Sequence, residues 1–161
     1  MDRLWSPWRY RYVSTAGHSQ ECIFCARAAS RDDRANYVVL RAQRNFVLLN
    51  LYPYTNGHLM IAPYEHVATL TEAHPETLAE MMDLTRRAEQ ALRDLYKPGG
   101  INLGMNLGEC AGAGVAGHIH MHVLPRWAGD ASFMTTVAET RVLPEELEKT
   151  YDRLKKALNS A

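Results

Sequence analysis

The order of elements along the chain predicts an α+β fold: an antiparallel sheet of about five strands, a long helix packed on it, and a C-terminal helix. Three observations carry that expectation. Runs rich in β-branched and aromatic residues follow one another across short turns. A single long stretch at helical spacing, from about Pro75 to Tyr96, interrupts them. With one long helix inserted among closely spaced strands, a doubly wound parallel sheet is disfavoured.

The elements can be justified in order. The first 35 residues read as irregular: an arm with Trp5, Trp8, Tyr10 and Tyr12, a polar stretch around Gly17, then Cys22 and Cys25 as a C-x-x-C pair. NYVVLR and NFVLLN, separated by AQR, read as a hairpin. Pro53 and Asn56-Gly57 mark a turn, and HLMIAP follows as the third strand. In the long helix Leu78, Met82, Thr85, Ala88, Leu92 and Leu95 recur at helical spacing. Pro75 suits its first turn, and Lys97-Pro98-Gly99-Gly100 stops it. INLGMN reads as the fourth strand, and ECAGAGVAG is a loop that runs into a histidine strand ended by Pro125. A terminal helix is expected from Pro144 to Leu158. Residues 1–161 are expected to form one domain, with residues 1–20 as an arm and 140–161 as a helical extension.

Bulk composition narrows the function classes. Hydrophobic residues make up 47% and charged residues 22%, an ordinary globular balance. Lys plus Arg and Asp plus Glu are 18 each, which argues against charge-driven binding to nucleic acid or a membrane. A local basic pocket for a small anion remains compatible with that balance. No apolar run approaches bilayer-spanning length, and MDRLWSPWRYRYV lacks the apolar segment of a secretory signal. Three cysteines without such a signal fit reduced thiols in a cytoplasm.

The densest chemistry lies in GHIHMHVLPRW, residues 117–127. Side chains alternate along a strand, so His118, His120 and His122 share one face while Ile119, Met121 and Val123 take the other. Same-face neighbours stand roughly 7 Å apart. Three adjacent ones cannot close around a single metal ion with bonds of about 2 Å, although two could share one. A neutral imidazole is a good nucleophile near neutral pH. Gly108, Gly112, Gly114 and Gly117 let backbone N–H groups approach an anion closely. Together these features point to attack on phosphorus, with charge on the phosphoryl oxygens stabilised by N–H donors. The rival reading is a solvated polar face. Cys22 and Cys25 can supply two thiolates to zinc, with Cys110 or any histidine completing the set. Packed thiols are the alternative, and no thioredoxin-like pattern surrounds the pair.

HIHMHVLPRW resembles the histidine-triad (HIT) motif of the nucleotidyl hydrolase and transferase superfamily, and LNLYPYTNGHLMIAPYEH resembles that family's upstream hairpin. The resemblance runs from about Cys22 to Trp127. PRWAGDASFM, ETRVLPEELEKTY and the LWSPWR arm look most like bacterial members related to dinucleoside polyphosphate phosphorylases and hydrolases of the Fhit type. The resemblance implies a HIT-like fold, a homodimer, and no organic cofactor. It implies that His120 attacks the α-phosphorus and carries a covalent nucleotidyl group, that His122 contacts the phosphate or bridging oxygen, and that His118 orients the site. Asn50 would then hold the ribose, and Asn106, Gly114 and Val115 the phosphate. Ile23, Phe24, Leu51 and Met60 would line the base with His58 beside them. Zinc-bearing relatives imply Cys22, Cys25, His66 of PYEH and His118 as ligands.

The activity so implied is cleavage of a dinucleoside polyphosphate, diadenosine tetraphosphate or triphosphate, with water or inorganic phosphate as second-step acceptor. A nucleoside 5′-phosphoramidase shares the mechanism, and a non-catalytic nucleotide- or zinc-binding module is the rival of another class. Some residues carry a plainer alternative: core packing for the apolar four and a turn-starting role for Asn50. Val115 departs from the family pattern, which often has Ser or Thr three residues before the first histidine. His-Pro-His-Gly-Gln, the hexose-phosphate uridylyltransferase pattern, is absent. In the arm, Trp5 and Trp8 with Arg3, Arg9 and Arg11 could hold a nucleotide, or the tryptophans could cover a groove. Arg126 could form a salt bridge, while Cys110, His18 and His74 read as loop or packing residues.

Overall fold

Val38–Arg41 (β1) and Asn45–Leu49 (β2) form the expected hairpin, and Leu59–Pro63 (β3) pairs with β2 from Asn45↔Pro63 to Leu49↔Leu59. The computed structural model describes residues 21–131 and 143–159. Gly100–Gly104 (β4) and Met121–Arg126 (β5) complete a five-stranded sheet in the order β1-β2-β3-β5-β4, antiparallel throughout. Among the described residues three α-helices accompany it: Ile23–Ala29 (α1), Pro75–Tyr96 (α2) and Leu147–Asn159 (α3). The expected α+β class and antiparallel sheet are therefore observed. None of the described helices is long and apolar enough to cross a membrane. The arm, with Trp5, Trp8 and His18, lies outside the described residues.

Strands β2 and β3 are buried at every position because both faces of the sheet are covered. On one face Val47, Leu49, Leu59, Ile61, Ile119 and Val123 pack beneath α2 and α3. On the other, Val38, Phe46, Leu48, Met60 and Ala62 pack with Phe24 of α1. Fully burying a leucine such as Leu84 or Leu92 of α2 stabilises the fold by about 1.5–3 kcal/mol.

Helix α2 has the expected bounds, with Pro75 in its first turn and Lys97 in the left-handed conformation at its end (φ 47°). Of its expected stripe, Thr85, Ala88 and Leu92 are buried, Leu78 and Leu95 pack partly buried against the core, and Met82 alone misses. Thr77, Met81, Leu84, Ala88 and Leu92 face the core, whereas Met82 is 57% exposed. Near its start, Glu80 accepts the N–H groups of Gln43 and Arg44 and the Asn45 amide, so α2 clamps the β1–β2 turn. Gly57 is required by contact and conformation alike: its φ is +77°, and a Cβ there would stand 2.9 Å from Leu92 Cδ2.

Three expectations need correction. The first 35 residues are not wholly irregular, since α1 lies within them. Seven residues give too little periodicity to read, and the helix is held by packing of Phe24 rather than by propensity. Pro125 does not end the last strand but pairs with Ile101 inside β5. Pairing with β3 ends at Val123, so a residue without N–H is tolerated there. The terminal helix starts at Leu147 instead of Pro144. Glu145 instead anchors the approach to it, accepting from Tyr96 Oη at 2.6 Å, Thr150 Oγ1 at 3.0 Å and Arg153 at 2.6 Å.

Candidate active site

His118 and His120 precede β5 and are not part of its ladder; the His118 N–H reaches the Val115 carbonyl and the Ile119 N–H the Val67 carbonyl. The alternation expected of a strand nevertheless holds. Ile119 and Val123 enter the main core, while His118 and His120 lie buried on the opposite face. That face is covered by α1. The Phe24 ring lies 5.2 Å from that of His118 and 4.7 Å from that of His120, so the histidine row is no solvated surface.

Hydrogen bonds fix the protonation pattern of the row. His120 Nδ1 lies 2.9 Å from the His118 carbonyl oxygen, which can only accept. Nδ1 of the neutral ring therefore carries the proton, and Nε2 keeps its lone pair. Behind His122 stands His58, with His58 Nε2 2.9 Å from His122 Nδ1. The Tyr54 N–H donates to His58 Nδ1 at 3.2 Å, so His58 carries its proton on Nε2 and passes that donor to His122. His122 is left with Nε2–H as its free edge. Adjacent rings thus present opposite characters: a lone pair on His120 and a donor on His122. Burial lowers the pKa of both, that of His122 to about 4, helped by charge on neighbouring His120. Both are neutral at pH 7.

His118 is tied differently. Its Nε2–H donates to the Pro63 carbonyl at 2.9 Å, leaving Nδ1 turned toward Cys22 Sγ at 3.3 Å and Cys25 Sγ at 3.7 Å. His66 Nδ1 lies 3.2 Å from Cys25 Sγ, and the four potential ligand atoms fall within 4.8 Å of one another. The edges of a tetrahedral zinc site with bonds of about 2.0–2.3 Å are about 3.3–3.8 Å long. Two sulfurs and two imidazoles at these separations suit that ion, and the His118–Pro63 bond orients one ligand as metal-bound histidines usually are.

In front of His120 and His122 lies a cleft open to solvent. Ile23, Phe24, Leu51 and Met60 supply apolar lining, and Asn50, Asn106, Gly114 and Val115 also border it. The arrangement can place a nucleophilic nitrogen, a neighbouring donor and a glycine loop around one phosphoryl group.

The HIT domain profile matches residues 32–129. The chain belongs to the HIT family. It is 37% identical over 157 residues to a Mycobacterium tuberculosis protein named AP-4-A phosphorylase, covering 93% of this chain and 80% of that one. It is 28% identical over 117 residues to the Schizosaccharomyces pombe bis(5′-nucleosyl)-tetraphosphatase [asymmetrical], covering 73% of this chain and 60% of that one. A Zn-bound histidine triad family protein from Mycobacterium smegmatis superposes with a TM-score of 0.70 at 31% identity, over 87% of this chain and 94% of that one.

Within this HIT protein most sequence-expected site residues converge, some with a second duty. Phe24 is both cleft wall and buried core. Asn50 Oδ1 accepts the Tyr52 N–H at 3.0 Å, as a turn-starting residue does, while its amide faces the cleft and His58. The Asn106 amide braces the glycine loop through the Gly112 carbonyl at 3.3 Å. Val115 packs its side chain against the Phe24 cluster, so its apolar group fills the place where a hydroxyl was expected. His58 stands behind His122, its Nε2 2.9 Å from His122 Nδ1. Arg126 is engaged by Asp130 at 2.6 Å, Cys110 is exposed, and His74 pairs with Glu76. Arg27, Tyr52 and Tyr54 also line the cleft and were not anticipated. For Arg27 the usable signal was its spacing of three and four residues from Phe24 and Ile23, which matters only once α1 is known to be a helix.

Proposed function

We propose that this protein cleaves a phosphoanhydride bond of a dinucleoside polyphosphate, with a tetraphosphate or triphosphate as substrate. The observation that carries the proposal is the His120 ring, whose Nδ1–H is held by the His118 carbonyl at 2.9 Å while its Nε2 keeps a lone pair beside the cleft. The relative named AP-4-A phosphorylase supports the substrate class.

In the first step His120 Nε2 attacks the α-phosphorus in line. A P–N bond forms, the bond from phosphorus to the bridging oxygen breaks, and its electron pair leaves on that oxygen with the departing nucleotide. The positive charge gained by the His120 ring is shared through Nδ1–H with the His118 carbonyl. His122 Nε2–H donates a hydrogen bond to the phosphate or bridging oxygen. Gly114, Val115 and Asn106 steady the phosphoryl group, Asn50 holds the ribose, and Ile23, Phe24, Leu51 and Met60 receive the base. In the second step an acceptor oxygen attacks phosphorus and the P–N bond breaks. The name of the 37% identical relative supports inorganic phosphate as acceptor, giving a nucleoside diphosphate; water would give a monophosphate.

Cys22, Cys25, His66 and His118 would hold a structural zinc ion, fixing α1 to the segment that carries His120. Further parts of the reading are a single domain over residues 1–161, a homodimer, a cytoplasmic location, and no need of an organic cofactor, nucleic acid or membrane. Incubation with dinucleoside polyphosphates and adenosine 5′-phosphoramidate, with and without phosphate, tests the activity. Nucleoside diphosphate formed only with phosphate is the expected result, and cleavage of the phosphoramidate alone would overturn it. Intact-protein mass spectrometry after acid-free quenching should find a nucleotidyl adduct that His120→Ala lacks. Unchanged cleavage by His120→Ala would remove His120 from the chemistry.

A further inference from the structure

Helix α1 crosses the histidine side of the sheet from β3 to β1. Its start is tied to β3 and the triad: Cys22 faces His118, whose ring is bound to Pro63. Its far end is tied to β1, where the Arg41 guanidinium donates to the carbonyls of Arg27 and Ser30 at 3.0 and 2.7 Å. β1 is the edge strand, separated from β5 by β2 and β3. Arg27 therefore borders the cleft at the end remote from His120 and His122, on the helix face that also carries Ile23 and Phe24.

Arg27 is a half-buried cation without a matching anion among the described residues. Among the described residues no carboxylate pairs with it, whereas Arg34, Arg41, Arg93, Arg126 and Arg153 each face one. Burial lowers its pKa with no opposing charge. A guanidinium partly stripped of water and left unpaired beside an apolar slot has donors to offer a ligand. The reacting phosphate is at the other end of the cleft, so the group it meets there is the nucleobase.

We propose that Arg27 is a specificity-determining residue that reads the base, its donor fork favouring guanine over adenine. Guanine offers two adjacent acceptors, O6 and N7, which a guanidinium can bind together. Adenine offers N7 beside an amino group, so one arm of the fork meets a donor. The inference rests on the reading of the cleft as a nucleotide site and concerns the base of the nucleotidyl group that His120 receives.

Two measurements test it. The first is the ratio of kcat/KM for diguanosine over diadenosine tetraphosphate, in the full chain and in Arg27→Leu and Arg27→Lys. The ratio should fall about tenfold to a hundredfold in both variants, because lysine keeps the charge and loses the fork. A ratio preserved in Arg27→Leu, whether or not both rates fall together, would overturn the proposal. So would a ratio preserved by Arg27→Lys, which would make the residue a point charge. The second is calorimetric affinity for GMP and AMP, which needs no turnover. GMP preference in the unaltered chain, lost in Arg27→Leu, supports the proposal even if neither dinucleotide is cleaved, and equal affinities in the unaltered chain overturn it. Absence of cleavage with preference intact would count against the activity alone.

Discussion

His58 Nε2 lies 2.9 Å from His122 Nδ1, and this contact decides which edge of the His122 ring can donate toward the cleft. The order of donors runs from the Tyr54 N–H through His58 to His122. Replacing His58 by Phe keeps a planar ring and removes the donor, freeing His122 to take the opposite tautomer. The expected result is a loss of about 100-fold in kcat with a much smaller change in KM, the usual scale for one positioned donor. His58→Gln restores a donor and should recover part of kcat. Equal losses in both variants, with matching melting temperatures, would count against the donor chain.

The acid side of the pH–rate profile should lie well below the ordinary histidine range. Burial first, and then charge on His120, lowers the pKa of His122 to about 4, so its neutral form persists as pH falls through 6.5. His58, His120 and Tyr54 are the rings in contact with it. His120 must be neutral as well, and burial lowers its pKa too, so activity should hold as pH falls from 8 through 6.5 and decline only below that, measured with buffers of matched ionic strength. A midpoint at or above 6.5 would show that His120 or His122 titrates as an exposed imidazole.

Metal content gives an independent check. Purified protein should carry about one zinc per chain, and Cys22→Ser should carry far less. A strong chelator should lower the melting temperature of the unaltered chain, since bound metal contributes to folding. Full stoichiometry in Cys22→Ser would rule out the four-residue cluster as the site.

Gly57→Ala should destabilise the protein by about 1–3 kcal/mol in urea unfolding. Its positive φ resists a side chain, and the new methyl would meet Leu92 Cδ2 at 2.9 Å. Gly104→Ala is the matched comparison, because a Cβ there meets nothing within 4 Å and φ is not positive. Equal effects at the two positions would contradict the packing argument.

What the sequence made legible follows from local physics. Turn residues and β-rich runs placed the hairpin and β3, and Pro75 with Lys97-Pro98-Gly99 placed α2. Alternation put Ile119 and Val123 in the core and the histidines opposite them, although His118 and His120 lie outside the strand itself. The misses arose where tertiary contact outweighs local pattern. Seven residues of α1 carry no strong period, so the cover over the histidines and the place of Arg27 were hidden. The role of His58 depends on a partner 64 positions away in the chain, which no spacing argument reaches. Met81 and Met82 are adjacent and equally apolar, and only the packing of α2 selects Met81 for burial.

His118 serves two centres with two different parts of itself. Its ring faces Cys22 and Cys25, while its carbonyl holds the His120 proton. Mutagenesis exchanges rings and leaves carbonyls in place, so these duties can be uncoupled genetically. A set of substitutions at position 118 would vary the cluster while every member keeps the peptide oxygen that His120 leans on. Any catalytic defect in that set would measure displacement of the backbone rather than loss of a reacting group.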